Sequence, residues 1–234
     1  MSASLYAIPT PLGGPPLESL PGPELELVRD LRDFVAENAK TARAFLAEVG
    51  MPCSLRELHI HVLDEHTPPE SVHALLAPLR EGRSLGLLSE AGCPAIADPG
   101  ALLVAAAHRA GFRVVPLVGP SSIVLALMAS GLEGQRFAFC GYLPRDKDAR
   151  ENRIRELERR SKAEGETQIF IETPYRNEAM VESLLRVCAP DTLLCVASAL
   201  TLPQQVVAVR SIAAWRSAPP RPGRRPTVFL VLAL

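Results

Sequence analysis

The chain has 234 residues, 47% hydrophobic and 22% charged, with a formal net charge of −1. That length allows one large domain or two of about 100–130 residues, and the apolar share excludes a disordered chain, which lacks the surface to offset its ordering entropy. No apolar run approaches the ~18 residues of a membrane span, and the stretch from Met1 to Tyr6 has no basic region ahead of an apolar one, so a cytoplasmic protein with no membrane partner is expected.

In chain order, Leu5 to Ile8 predicts a short strand that runs into Pro9-Thr-Pro-Leu-Gly-Gly14. Leu25, Val28, Leu31 and Arg32 mark a helix, Phe34 to Ala36 a strand, and Thr41 to Val49 a helix with Ala42, Phe45, Leu46 and Val49 on one face. Leu58 to Leu63 alternates like a strand, and Pro69 to Leu79 reads as a helix. Ser84 to Leu88 is a nearly continuous apolar run, the mark of a strand buried on both faces. Ala101 to Ala110 is an apolar helix stopped by Gly111. A strand at Val114 to Val118 and a helix at Ser121 to Ala129 follow. Strands alternating with helices imply a mostly parallel sheet covered on both sides, with ligands at the strand ends.

Beyond a boundary near Gly131 to Gln135 the pattern changes, giving expected domains of 1–133 and 134–234. Strands are predicted at Phe137 to Cys140, Gln168 to Ile171, Leu193 to Ala197, Val206 to Val209 and Thr227 to Leu232. Asp148 to Glu164 is a charged helix anchored by Ile154 and Leu157, Asn177 to Val187 a further helix, and Ile212 to Trp215 a helical turn. Three strands among the last four elements point to antiparallel pairing and a mixed sheet. Ala218-Pro-Pro-Arg-Pro-Gly-Arg-Arg-Pro226 is a stiff basic loop. Charge divides with the pattern: nine basic and fifteen acidic residues up to Gly134, sixteen and eleven from Gln135 onward. The basic half suits either phosphate contact or a solvated helix and loop.

Five cysteines with no Cys-x-x-Cys pair imply reduced thiols rather than a disulfide framework. His59, His61, His66 and His73 lack a convergent acidic partner, so no metal site is expected. The chemistry points instead to four loops after predicted strands: Pro9 to Gly14, Ser89-Glu-Ala-Gly-Cys-Pro94 with Asp98-Pro-Gly100, Gly119-Pro-Ser-Ser122, and Glu172-Thr-Pro-Tyr-Arg-Asn177. Glycine permits close backbone approach and positive φ; proline fixes the approach. Taken singly each is also strand-to-helix punctuation, with Asp98 an N-cap ahead of proline and Ser121 and Thr173 further caps. A phosphate loop and the dinucleotide fingerprint are both absent.

In this order the loops resemble the tetrapyrrole methylase superfamily of S-adenosylmethionine-dependent methyltransferases, and within it the branch acting on ribose in small-subunit ribosomal RNA. That branch's Pro-Thr-Pro-Ile-Gly-Asn is matched by Pro9 to Gly14. Its Ala-Glu-Asp-Thr-Arg is similar to Ala36-Glu-Asn-Ala-Lys40, and its Ser-Asp-Ala-Gly-Thr-Pro with Asp-Pro-Gly to Ser89 to Pro94 and Asp98 to Gly100. Its Val-Pro-Leu-Pro-Gly-Pro-Ser matches Val115 to Ser121, its Gly-Phe-Leu-Pro matches Gly141 to Pro144, and its Glu-Ser-Pro-His-Arg matches Glu172 to Arg176. The chain departs at Asn38, Lys40 and Glu90, and at Ala197-Ser-Ala-Leu-Thr-Leu202, where the branch carries Arg, Glu and Lys.

The resemblance implies two α/β domains with S-adenosylmethionine in the cleft between them, no metal, and a homodimer. It implies cofactor contacts from Leu12, Gly13, Glu90, Gly92, Cys93, Pro94, Ser121, Ser122, Glu172, Ala197 and Ala199, with Cys93 a lining residue. Methyl transfer to a hydroxyl benefits from a base, for which Glu37, Asp98 and Lys40 (if burial lowers its pKa) are candidates. Arg43, Arg145 and Arg176 are candidates to hold an acceptor phosphate or carboxylate, and Arg221, Arg224 and Arg225 to meet RNA phosphates. RNA is the expected acceptor; a tetrapyrrole-like small molecule, or S-adenosylmethionine binding without catalysis, are the alternatives.

Overall fold

The computed structural model describes residues 3–234; Met1 and Ser2, where the first expected domain and the N-terminal reading begin, lie outside the described residues. Contacts divide the chain into two compact units, one up to Ser121 and one from Ser122 to Leu234.

The first unit holds β1 (Ser4–Ile8), α1 (Pro16–Ser19), α2 (Gly22–Asp30), β2 (Asp33–Ala36), α3 (Ala39–Val49) and β3 (His59–Val62). A 3-10 segment over Pro69–Leu76 leads into α4 (Ala77–Arg80), then β4 (Leu85–Leu88), α5 (Gly100–Arg109) and β5 (Arg113–Pro116). The single helix expected from Pro69 to Leu79 is therefore two pieces, broken where Pro78 enters a new first turn. The sheet order is β3-β2-β4-β1-β5 and every pairing is parallel. Residues alternate between faces even in the continuous apolar strands. Phe34, Ala36 and Leu88 pack with α2 and α3 residues on one side; Val35, Leu85 and Leu87 pack with Leu103, Ala106 and Ala107 of α5 on the other. β4, second neighbour to either edge, is fully buried as its composition demands. Gly86 is forced there: a Cβ would lie 2.7 Å from Phe34 Cδ1 and 2.8 Å from Ile8 Cδ1.

The second unit begins with α6 (Ser122–Ser130), which packs against the sheet of that unit, so the boundary falls at Ser121/Ser122 and not at the expected 133/134. Then come β6 (Phe137–Tyr142), α7 (Lys147–Glu164), β7 (Thr167–Glu172), a 3-10 turn at Pro174–Arg176, α8 (Asn177–Val187), β8 (Leu193–Ser198), β9 (Val206–Ser211), α9 (Ile212–Ser217) and β10 (Thr227–Leu232). The order is β6-β7-β10-β8-β9, with β6 and β7 parallel and the remaining pairs antiparallel, the mixed sheet expected. Its core joins Ile154 and Leu157 of α7 to Met180 and Leu184 of α8 and to Trp215. Phe170 and Phe229, register partners on β7 and β10, stack at 5.9 Å. Trp215 Nε1 donates to Leu194 O at 2.9 Å, satisfying its one polar atom. No helix of the described residues is long and apolar enough to cross a membrane.

Candidate functional site

In the first unit β1 continues through α1 and α2 to β2 on one side, and β4 continues through α5 to β5 on the other. The adjacent strands β1 and β4 therefore mark the point where connections part, and the crevice at their carboxyl ends is where an open parallel sheet binds ligands. The loops after these strands are joined there. Thr10 N donates to Gly92 O at 2.9 Å and Gly92 N to Thr10 O at 3.0 Å. Ser89 Oγ donates to Gly92 O at 2.6 Å, and Thr10 Oγ1 lies 3.2 Å from Ser89 Oγ.

Glycine makes this closeness possible. Gly92 sits at φ +80°, and a Cβ there would approach Leu12 Cδ2 at 3.2 Å and Pro120 O at 3.6 Å. A Cβ at Gly119 would overlap the ring of Pro9. Cys93 Sγ reaches Pro120 O at 3.5 Å, and burial pushes its thiol pKa up, so it lines the loop as a neutral group. Leu12, Gly13, Glu90, Gly92, Cys93, Pro94 and Ser121 thus fall on three loops that meet at one end of one sheet. Between the first loop and α3 lies a cavity of about 170 Å3 lined by Thr10, Gly13, Thr41, Phe45, Ser89 and Glu90 among others.

A second, wider cavity of about 810 Å3 opens beside it, lined by Glu37, Asn38, Asp64, Glu65, His66, Glu90, Ala97, Asp98 and Pro99. Its five carboxylates give it a strongly negative rim. Glu37, half-buried, has its pKa raised first by burial and then by Asp98, Glu90, Asp64 and Glu65. Thr41 Oγ1 donates to Glu90 Oε1 at 2.6 Å, tying α3 to the loop after β4. Asp98 Oδ1 accepts from both Ala95 N and Gly100 N at 2.8 Å. Burial raises its pKa against the lowering effect of those amides. The N-cap expected at Asp98 is instead Pro99, and Asp98 holds a loop in which Ala95 (φ 66°) and Ala97 (φ 62°) take left-handed conformations. Such strain in non-glycine residues collects at ligand sites.

One expectation in this unit changes. Lys40 is exposed on the first turn of α3, so the burial that a lysine base needs is missing. Arg43 is likewise exposed, one turn on, with a Nη 3.4 Å from Ala39 O. Asn38 is the N-cap of α3, its Oδ1 accepting from Lys40 N at 2.8 Å, so the asparagine keeps the helix start while removing a charge. Sequence reasoning missed Thr10, Thr41, Asp64 and Glu65. Asp64 and Glu65 carried a usable signal, since they directly follow a predicted strand of the parallel sheet.

In the second unit Glu172, at the end of β7, is 5% exposed. Its Oε1 accepts from Arg176 Nε at 2.8 Å, from a Nη of the same arginine, and from Thr173 N at 2.6 Å. Arg176 is thus the partner of Glu172 rather than a free cation, and its remaining Nη1 is buried without a hydrogen-bond partner. Ala197 lies near the end of β8 and Ala199 just beyond it, both with buried methyl groups; Ala199 takes φ +51° and donates its N–H to Pro226 O at 2.9 Å. Ser122 opens α6. Arg145 is exposed, its carbonyl receiving Arg150 Nη1 at 2.9 Å. Of the histidines, His59 Nδ1 lies 3.2 Å from buried Asp33, and His66 pairs with Glu65 at 3.7 Å. No group of three or more histidine, cysteine or acidic side chains able to hold a metal ion occurs among the described residues.

A parallel sheet with a backbone-built crevice at its switch point, followed in the chain by a mixed sheet, defines a two-unit α/β ligand-binding protein. The model for tetrapyrrole (corrin/porphyrin) methylases matches residues 22–214, and the chain belongs to that family. It is 34% identical over 197 residues to the ribosomal RNA small subunit methyltransferase I of Escherichia coli O157:H7, covering 84% of this chain and 65% of that one. It is 36% identical over 198 residues to the protein of the same name from Xylella fastidiosa, with coverage of 85% and 68%. The chain thus spans about two thirds of the length of these curated relatives. Among solved structures it shares the fold of the methyltransferase CobJ, with TM-score 0.66, 21% identity and coverage of 99% and 95%. It also shares that of a diphthine synthase, with TM-score 0.67, 18% identity and coverage of 99% and 90%.

Proposed function

We propose that the protein binds S-adenosylmethionine and transfers its methyl group to RNA, at a ribose hydroxyl or a base. The observation that carries this reading is the crevice at β1 and β4, where backbone packed too closely for a Cβ meets an acidic rim. A cationic, hydrogen-bonding ligand of nucleoside type suits that combination, and curated relatives at 34% and 36% identity bear the name of a ribosomal RNA methyltransferase. In the first unit Leu12, Gly13, Gly92, Cys93, Pro94 and Ser121 would hold the ligand through backbone groups, with Glu90 fixed by Thr41. Of the second unit's expected contacts, Ala197 and Ala199 can offer only backbone, while Glu172 is already braced by Arg176.

When bound, S-adenosylmethionine supplies a methyl group on a sulfonium, which an in-line nucleophile displaces. The chain's own part is positioning, which can supply much of the rate, and removal of a proton. Glu37 is the base this geometry favours. Its carboxylate faces the acidic cavity, and its raised pKa makes it a better proton acceptor than an ordinary glutamate. Asp98, committed through Oδ1 to two amides, acts as a loop tie, and exposed Lys40 is set aside. Action on ribosomal RNA would place the protein in the cytoplasm, and the family resemblance implies a homodimer, which sedimentation tests.

Calorimetric titration with S-adenosylmethionine and with its demethylated product tests the first step; micromolar binding, about −8 kcal/mol, is expected. Absence of binding by either ligand overturns the reading. Labelled methyl transfer to total RNA tests the second, and label entering a corrin or porphyrin but no RNA would replace RNA with a small-molecule acceptor.

A further inference from the structure

The segment between α9 and β10, Ala218 to Pro226, contains no helix or strand, yet it is fixed along its length. Asn177, fully buried at the start of α8, donates from Nδ2 to Gly223 O and Arg225 O at 2.8 Å each. Glu178 accepts from Gly223 N at 3.2 Å, and Pro226 O accepts from Ala199 N at 2.9 Å. Arg225 turns inward, sending Nε to Pro222 O at 2.8 Å and a Nη to Arg221 O at 3.0 Å. Arg221 and Arg224 are left exposed, and no carboxylate of the described residues pairs with either. Where the segment enters β10, Thr227 lies in register with Glu172 on one side and Ser198 on the other. The loop is therefore built on the same strand ends that carry Glu172, Ala197 and Ala199.

We infer that this Asn177-latched loop is a docking surface for the phosphodiester backbone of an RNA, gripped by Arg221 and Arg224. The inference rests on the RNA reading above and assigns that reading a surface. An arginine fork matches phosphate oxygens in pairs, and a loop already ordered loses less entropy when its arginines engage. The same loop contains Pro219-x-x-Pro222, a spacing that polyproline-binding domains take. Of that pair Pro219 is exposed but Pro222 is buried, so only half of the apolar ridge such a domain needs faces outward, beside the cationic Arg221 and Arg224. Arg225, grouped with the other two by sequence, is a brace and not a contact.

The test is fluorescence anisotropy of the full chain with a short fluorescein-labelled single-stranded RNA over a salt series. Each phosphate contact contributes about 0.7 to the slope of log K against log salt. The Arg221→Ala/Arg224→Ala variant should therefore lose about 1.4 from that slope. Asn177→Ala, which keeps both arginines but frees the loop, should also bind the RNA more weakly. A wild-type slope in the double variant overturns the loop assignment and leaves the RNA reading standing. The loop assignment falls equally if the wild type instead captures an isolated polyproline-binding domain while the slope is unchanged. A wild type with no RNA affinity at any salt concentration overturns the RNA reading itself.

Discussion

The two units build their candidate ligand residues by opposite means. In the first, loops after β1, β4 and β5 are held by backbone bridges and by glycines that admit no Cβ, and carboxylates crowd the rim with no arginine among the described residues that line it. In the second, a buried carboxylate at the end of β7 is held by an arginine four residues on, and a basic loop is latched by one asparagine. A parallel sheet ends all its strands on one side, so backbone alone can form a crevice there. A mixed sheet interleaves strand ends with strand starts, and side-chain pairs take over the work of fixing loops. The first unit should therefore be sensitive to added volume, and the second to lost charge.

The largest expected effect is in the second unit. Glu172→Gln leaves Arg176 buried beside a neutral amide and should lower stability by about 3 kcal/mol, read as a drop in the urea midpoint. Replacing both members with apolar residues, Glu172→Met with Arg176→Leu, should recover most of that loss, because no unpaired charge remains. A silent Glu172→Gln would mean the pair fixes nothing and would erase the contrast between units. Next comes the first unit: Gly119→Ala drives a methyl into Pro9 and should cost about 2 kcal/mol, the usual range for overpacking. It should also weaken S-adenosylmethionine binding, since the loops it separates carry Leu12 and Ser121.

Legibility from sequence follows the same division. Most strands and helices of both units were readable because apolar periodicity directly encodes burial; α8 and β10 begin and end where expected, whereas the four-residue α1 is too short to show a period. The Gly and Pro loops of the first unit were readable because glycine's lack of a Cβ is itself the function. Partnerships between side chains were not. That Arg176 belongs to Glu172, that Arg225 faces its own loop, and that Asp98 ties Ala95 to Gly100 depend on side-chain direction, which residue type does not record. The boundary at Ser121 was missed for a related reason. α6 follows β5 in the pattern of the first unit, but its apolar residues pack on the second sheet, and a uniformly apolar helix carries no sign of which neighbour it will choose.

A smaller effect separates tie from base at Asp98. Asp98→Asn keeps an oxygen that can accept from Ala95 N and Gly100 N, so its stability should change by less than about 1 kcal/mol, whereas Asp98→Ala leaves two amides unmet and should cost about 2 kcal/mol. In the labelled transfer assay Asp98→Asn should retain turnover; its abolition with the fold intact would return Asp98 to the role of base.

The smallest expected effect probes the acidic rim itself. Burial and the four neighbouring carboxylates raise the Glu37 pKa above its ordinary 4.5, so the folded chain holds that proton more tightly than the unfolded chain does. The group therefore favours folding in acid and turns into a cost as pH climbs from 4.5 through the raised value. Glu37→Gln removes that cost. The variant should gain on the wild type as pH rises through this window and level off above it, a difference read from paired urea midpoints at each pH. Turnover should move the other way, with Glu37→Gln losing methyl transfer at the pH where its stability gain is greatest. A flat difference across pH would mean the rim carboxylates do not crowd one another, and a variant that is more stable yet fully active would remove Glu37 as the base while leaving the crevice and its loops in place.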